Sequence, residues 1–302
     1  MPRERRNPRI AALIPFALFE IVEYNQSEVL RCIHLYGVSN SRKEVNMLIA
    51  IDVGNTNIVL GGFRGETLIF QARIHTNTHK TSDEYAATIS AVLNNYGVDF
   101  DCVLDVIISS VVPQVTGPLA SAMQSLCGKR PFVVGPGTKT GINIRIDDPA
   151  TLGADLLTDS VAAAEQYKLP VIVVDMGTAT TISVVDDKRA FIGGVIMPGL
   201  RLAQDALSDR TAQLPHIDLK YDGKVLGTNT VDCMKSGAIY GTAAMIDGVV
   251  SRIENELGHK CTVVATGGLA EQVCKYTECG ANYDPDLMLK GLLYIYNRNR
   301  RK

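Results

Sequence analysis

Short apolar runs broken by polar turns fill the chain from Met47 onward, and they come in two similar series. In the first, residues 48–52, 58–63 and 68–75 read as three successive strands, with Gly61, Gly62 and Gly65 near their turns. Thr81-Ser-Asp-Glu84 predicts a helix to residue 95, with Thr81 or Ser82 as cap and two acids in the first turn. Residues 104–112 predict a buried strand stopped by Pro113, residues 116–127 a helix, 131–134 a strand, and 152–167 a helix rich in Ala and Leu. The second series starts again with strands at 171–175, 181–186 and 191–197. Helices at 200–208 and 230–257 follow, then a strand at 262–265 ending on Thr266-Gly-Gly268, and closing helices at 269–276 and 286–296.

Three strands followed by alternating helix and strand, written twice, predict a duplicated α/β fold. The expectation is the actin-like (ribonuclease H-like, ASKHA) architecture of sugar kinases and Hsp70-type ATPases. It has two βββαβαβα-type domains, at 47–169 and 170–302, with a nucleotide cleft between them. A length of 302 residues suits two such domains. The composition, 46% hydrophobic and 21% charged, is ordinary for a soluble globular protein. A formal net charge of −2 gives no reason to expect nucleic acid or an acidic membrane as partner. The basic end Asn297-Arg-Asn-Arg-Arg-Lys302 reads as a solvated helix end. Seven cysteines at irregular spacing, with no C-x-x-C, argue against a zinc site or a disulfide framework and for a reducing, cytoplasmic compartment. The five histidines show no ligand spacing.

Residues 1–46 do not share the pattern. Arg3, Arg5, Arg6 and Arg9 precede an apolar run that holds Pro15, ends on Glu20 and is too short to span a bilayer. Arg42-Lys-Glu-Val-Asn46 is a peptide that purine-rich codons resembling a ribosome-binding sequence would encode, just ahead of Met47. The expectation is therefore that Met47 is the native start and that 1–46 is leader read as protein. N-terminal mass spectrometry checks this, and a native peptide from residues 10–40 refutes it.

Candidate chemistry concentrates in two matched turns. Asp52-Val-Gly-Asn-Thr-Asn57 and Asp175-Met-Gly-Thr-Ala-Thr180 both place an acid, a Gly and small polar residues between two apolar runs. Glycine lets backbone N–H groups approach an anion, and Thr or Asn side chains add donors. The preceding carboxylate suits a cation that in turn holds phosphate. Two such turns facing each other would clamp a nucleotide polyphosphate. Thr266-Gly-Gly268 lies where a strand meets a helix, a place for a flat ring or a phosphate, although such a pair is by itself usually only a turn. Gly153-Ala-Asp155 opens the Ala-rich helix, and phosphoryl transfer to an alcohol needs a carboxylate beside the attacking hydroxyl. Asp155 is the expected base, with Asp159 one turn later as the alternative. Thr228 or Asn229 reads as a helix cap, with Thr230 a candidate hydroxyl for substrate.

With these motifs in order, the chain from Met47 to about residue 297 resembles the type III pantothenate kinases, which begin coenzyme A synthesis. Ser109-Ser-Val-Val-Pro113 and Gly193-Gly-Val-Ile-Met-Pro-Gly199 complete the set. The resemblance implies ATP with Mg2+ as donor, pantothenate as acceptor and 4′-phosphopantothenate as product. It implies ATP contacts at Asp52, Val53, Gly54, Asn55, Thr56, Asn57, Ile58, Val59 and Thr178, with Gly267 and Gly268 near the base. It also implies a monovalent cation, K+ or NH4+, at Asp175, consistent with the lack of a P-loop Lys. Acceptor contacts fall on Gly153, Ala154, Asp155, Leu156, Thr230 and Ile146, in a homodimer with this site near the subunit interface. At two of these positions the chain departs from the family, which usually has Arg where Leu156 stands and Tyr where Ile146 stands. An Arg would bind the acceptor carboxylate in a bidentate manner; Arg145 and Arg210 are candidate substitutes. Two alternatives follow: a kinase of the same fold for another small alcohol or carboxylate, or a non-catalytic nucleotide-binding accessory factor. Intact Asp52, Asp155 and Asp175 and the lack of a basic DNA-reading element weigh against the second.

Overall fold

Every residue of Met47–Val53 except Asp52 is buried, so this strand needs cover on both faces. The computed structural model, which describes residues 47–300, supplies it from two directions. Strands β1 (Met47–Val53), β2 (Asn57–Arg64) and β3 (Thr67–His75) form an antiparallel meander. β4 (Val103–Ser110) then pairs parallel to β1, and β5 (Phe132–Val133) parallel to β4. Helices α1 (Ser82–Asn95) and α2 (Pro113–Cys127) are the crossovers. Thr81 and Glu84 form a reciprocal capping box at the start of α1. Pro113 both ends β4's segment and occupies the first position of α2, three residues before the sequence pattern starts that helix.

The second half repeats this order. β7 (Val171–Met176), β8 (Ala179–Val185) and β9 (Ala190–Pro198) form the meander; β10 (Thr262–Thr266) pairs parallel to β7, and β11 (Asn282–Tyr283) parallel to β10. The sheets therefore run β3-β2-β1-β4-β5 and β11-β10-β7-β8-β9-β6, the same order apart from β6 (Asn143–Ile144), which joins the second sheet beside β9. Even the register slips match, at Gly62/Phe63 in one meander and Val184/Val185 in the other. β6 and β11 are two residues long, too short to leave an alternating pattern.

Helix α3 (Ala154–Gln166) and helix α7 (Leu287–Asn299) pack on each other and on strands of both halves. Their core holds Leu48, Ala50 and Ile107 from the first sheet with Val171, Val173 and Val264 from the second. A second core lies on the other face of the first sheet, with Ile49, Ile51 and Val53 against α1 and α2. A third lies beyond the second sheet, against α4 (Leu200–Asp209), α5 (Thr230–Leu257) and α6 (Ala270–Cys274). The close approach of α3 and α7 depends on Gly291, where a Cβ would overlap the Thr158 carbonyl. Two features cross the position between residues 169 and 170: β6 pairs with the later sheet, and α7 returns to β1. No helix among the described residues is long and apolar enough to cross a membrane.

Candidate active site

The two acid-glycine turns face each other. Thr56 Oγ1 and Thr178 Oγ1 lie 2.8 Å apart in a hydrogen bond between residues 122 positions apart in the chain. Each turn closes on its glycine: Gly54 N–H donates to the Asn57 carbonyl and Gly177 N–H to the Ala179 carbonyl, both at 3.0 Å. Each is also braced by the residue that follows its third strand. Thr76, after β3, donates its N–H to the Thr56 carbonyl at 3.0 Å and its hydroxyl to the Gly54 carbonyl at 2.7 Å. Gly199, after β9, donates its N–H to the Thr178 carbonyl at 3.1 Å, and a Cβ there would overlap the Gly177 and Thr178 carbonyls.

Beneath the turns four carboxylates converge. Asp52 is in register with Ser109 across the parallel β1–β4 pair, and Asp175 with Thr266 across β7–β10. Both point into the layer between the sheets, as the alternation of Leu48 and Ala50, and of Val171 and Val173, requires. Asp155 and Asp159 enter the same space from α3. Burial, then the charges of Asp155 and Asp175, push the Asp52 carboxyl up to about 7. Burial and Asp155 push Asp175 up to about 6. Burial also raises Asp155, against the Leu156 N–H that donates to its Oδ1 at 2.8 Å. Asp159 is raised well above the ordinary range by burial and then by Asp175, Asp52 and Asp155; it is 2% exposed, and its Oδ1 has no hydrogen-bond partner. None of the four is in an ion pair among the described residues. Their mutual repulsion without a basic neighbour fits a cleft that receives cations. No three His, Cys, Asp or Glu side chains among the described residues are placed to hold a metal alone, so phosphate oxygens would have to complete any such site.

Gly267 lies against the second turn. Its φ is +97°, and a Cβ would stand 2.6 Å from the Met176 carbonyl oxygen and 2.7 Å from Asp175 Oδ1. Beyond Gly268 a cavity of about 450 Å³ opens, lined by Tyr221, Tyr276, Gln272 and Lys275 among others.

Not every expected site residue has a side chain in the cleft. Val53 and Ile58 are fully buried in the core against α1 and α2, so they can meet a ligand only through backbone. Val59, Ile146, Leu156 and Ala154 pack on the central core. Asn55 and Thr230 are exposed. Asn229 caps α5, accepting from Asp232 N–H at 2.9 Å, which leaves Thr230 without that task. No hydrogen bond ties Thr230 to the aspartates. Of the candidate substitutes for a basic residue at 156, Arg145 pairs with Asp186 at 3.7 Å and Arg210 ends α4. The sequence reading missed Thr76; its only signal is its position one residue after β3, which matters once Gly199 is seen in the matching place.

Comparison with known proteins agrees with this arrangement. Residues 48–252 match the sequence profile of the type III pantothenate kinases. A type III pantothenate kinase from an Exiguobacterium species is 44% identical over 255 residues, covering 84% of this chain and all of that protein. One from Moorella thermoacetica is 43% identical over 253 residues, again covering 84% of this chain and all of the relative. Among solved structures, a protein from Campylobacter jejuni described as a Baf family transcriptional activator superposes with a TM-score of 0.53 at 18% identity, covering 83% of this chain and 98% of that one. A 2-dehydro-3-deoxygalactonokinase protein from Sinorhizobium meliloti superposes with a TM-score of 0.52 at 13% identity, covering 84% and 97%. At such identities these two speak to the fold alone, which is the actin-like α/β fold of ASKHA kinases. With sequence agreement running through both turns and the helix that carries Asp155, this chain belongs to the type III pantothenate kinase family.

Proposed function

We propose that the protein transfers the γ-phosphoryl group of ATP to the primary hydroxyl of pantothenate, giving 4′-phosphopantothenate and ADP. The observation that carries the reading is the Thr56–Thr178 hydrogen bond, which sets two glycine turns face to face above the aspartates. Backbone N–H groups of 54–57 and 177–178 and the two Thr hydroxyls are the donors for the phosphates. The nucleoside end extends past Gly267 and Gly268 toward the cavity lined by Tyr221 and Tyr276.

Asp155 is the base. Its carboxylate accepts the proton of the acceptor hydroxyl as that oxygen bonds to the γ-phosphorus and the bridge to the β-phosphate breaks, leaving ADP. The raised Asp155 and its position in the first turn of α3 support this role. Asp52 and Asp175, unpaired and repelling each other, would hold the Mg2+ that accompanies ATP and a monovalent cation, which supply positive charge for the transferring group.

The test is a pantothenate kinase assay on the purified protein and its Asp155→Asn variant. Turnover should fall by on the order of 10² or more while ATP affinity stays nearly constant. An unaffected rate would remove Asp155 from the mechanism, and no activity in the wild-type protein would remove the reading. One observation favours a second acceptor: Leu156 and Ile146 pack on the central core, so neither supplies the polar group that a guanidinium or a phenol there would offer a carboxylate. A panel of alcohols, pantothenate included, decides between them.

The protein works as a homodimer in this reading. Large apolar side chains stand exposed at the end of β9 (Ile196), on α4 (Leu202, Leu207) and around the start of α5 (Val225, Leu226, Val231), Leu226 being 84% exposed. Six free thiols among the described residues suit a reducing cytoplasm, and fractionation of host cells checks that placement.

A further inference from the structure

Arg73 lies on β3 opposite Val59 of β2. Its neighbours Ala72 and Phe70 are in the core on the α1/α2 side, so Arg73 projects from the other face, the one that carries Asp52 and looks toward the second half. There it meets the strand-to-helix glycines: a Cβ built on Gly268 would stand 3.6 Å from Arg73 Nη1. Burial raises the Tyr283 phenol, with Glu271, Asp286 and Cys274 adding to the rise, and the charge of Arg73 works against it. Arg73 thus spans from the first meander to the β10–β11 edge of the second sheet. Among the described residues its guanidinium makes no ion pair and donates no hydrogen bond, and the residue is exposed.

An exposed Arg ordinarily serves solubility. Here three features differ from that case. The side chain faces the cleft, glycine at 268 leaves its approach clear, and its five donors have no partner among the described residues in a cleft otherwise crowded with carboxylates. A chain with no P-loop Lys still needs a fixed cation for a polyphosphate, and a planar guanidinium binds phosphate oxygens through two parallel hydrogen bonds. We infer that Arg73 is a nucleotide-phosphate ligand, reaching across the cleft to the phosphates of ATP or ADP at their nucleoside end, just ahead of Gly267 and Gly268. The inference rests on the nucleotide reading above.

Isothermal titration of Mg2+-ADP and of adenosine into the full chain, wild type against Arg73→Ala and Arg73→Lys, tests it. Loss of a charged, hydrogen-bonded contact should weaken ADP about 10-fold or more in Arg73→Ala, with Arg73→Lys recovering part of the loss. Adenosine should bind all three proteins alike to within about twofold, and the KM for pantothenate should stay within the same margin while that for ATP rises. Arg73 is exposed, so both variants should melt with the wild type. Equal losses for ADP and adenosine would mean that the guanidinium packs on the nucleoside, and would overturn the inference. ADP affinity unchanged in Arg73→Ala would overturn it while leaving the kinase reading intact. A wild-type chain that binds no ADP would remove both.

Discussion

Asp155 and Asp159 sit one turn apart on the same helix, yet their surroundings differ. Asp155 is half-buried at the mouth of α3 and accepts a backbone N–H, so its carboxylate form is partly supported. Asp159 is 2% exposed among three other acids, with an oxygen that has no hydrogen-bond partner among the described residues, so burial and repulsion hold its carboxyl well above the ordinary range. Asp175 differs again: it is raised to about 6 and has no basic partner, while Gly267 presses against it. A cation at Asp175 would relieve that repulsion, and a site open to phosphate oxygens selects by ion size and ease of dehydration. Activity should therefore need K+ or NH4+ beside Mg2+. Full turnover in a buffer with Na+ as the sole monovalent cation would contradict the assignment. The acids and glycines at these positions were legible in the sequence because their chemistry is local. Thr76 was not, because nothing in a lone Thr after a strand says which carbonyl it will reach.

At the scale of elements, the duplicated hairpin explains why the turns meet. Each meander ends by sending one residue back under its own acid-glycine turn, Thr76 in one half and Gly199 in the other. The two meanders are held at the right separation by α3 and α7, which fill the space between sheets. Their contact turns on Gly291, whose missing Cβ lets the Thr158 carbonyl in. Gly291→Ala should destabilise the protein by about 1–3 kcal/mol, because forced overpacking outweighs the better helix propensity of Ala. Urea denaturation reads this as a lower midpoint; an unchanged midpoint would mean the two helices have room to spare. The strands and long helices were legible from periodicity, α5 to the residue. The strands β6 and β11 were not, since these two-residue strands are defined by a neighbour rather than by a pattern.

For the whole molecule, crowding carboxylates into one cleft has a cost that depends on pH. In the ligand-free protein Asp52 titrates near 7 and Asp175 near 6, both above the ordinary value of 3.8 that the unfolded chain shows. The folded state therefore binds more protons between those limits, and stability present below about pH 4 is lost as pH rises through 6 and 7. Glu84, Asp218 and Glu254 are lowered instead, so their stabilisation is gained at acid pH and is already complete by about pH 5. The aspartates dominate the neutral range. The Tm of ligand-free protein should fall from about pH 5 to about pH 8, and Asp52→Asn should flatten the fall. A Tm that rises over that span would show the carboxylates to be solvated. The exposed apolar side chains of β9, α4 and the start of α5 belong to the same scale. Sedimentation should give a dimer that Leu226→Asp, alone or with Leu202→Asp, converts to monomer; a monomeric wild type would leave those residues without the proposed partner.

The sequence by itself determined which chemistry is present and in what order: two acid-glycine turns, an acid at the head of a helix, glycines where a late strand meets a helix. It did so because strand alternation, helix spacing and turn residues act over a few positions, and because the same plan was written twice. Only the tertiary structure decided that Thr56 and Thr178 touch, that four acids share one desolvated space, and that Arg73 crosses to Gly268. Those facts depend on packing two sheets about a pair of helices, a non-local outcome that no short stretch of residues encodes.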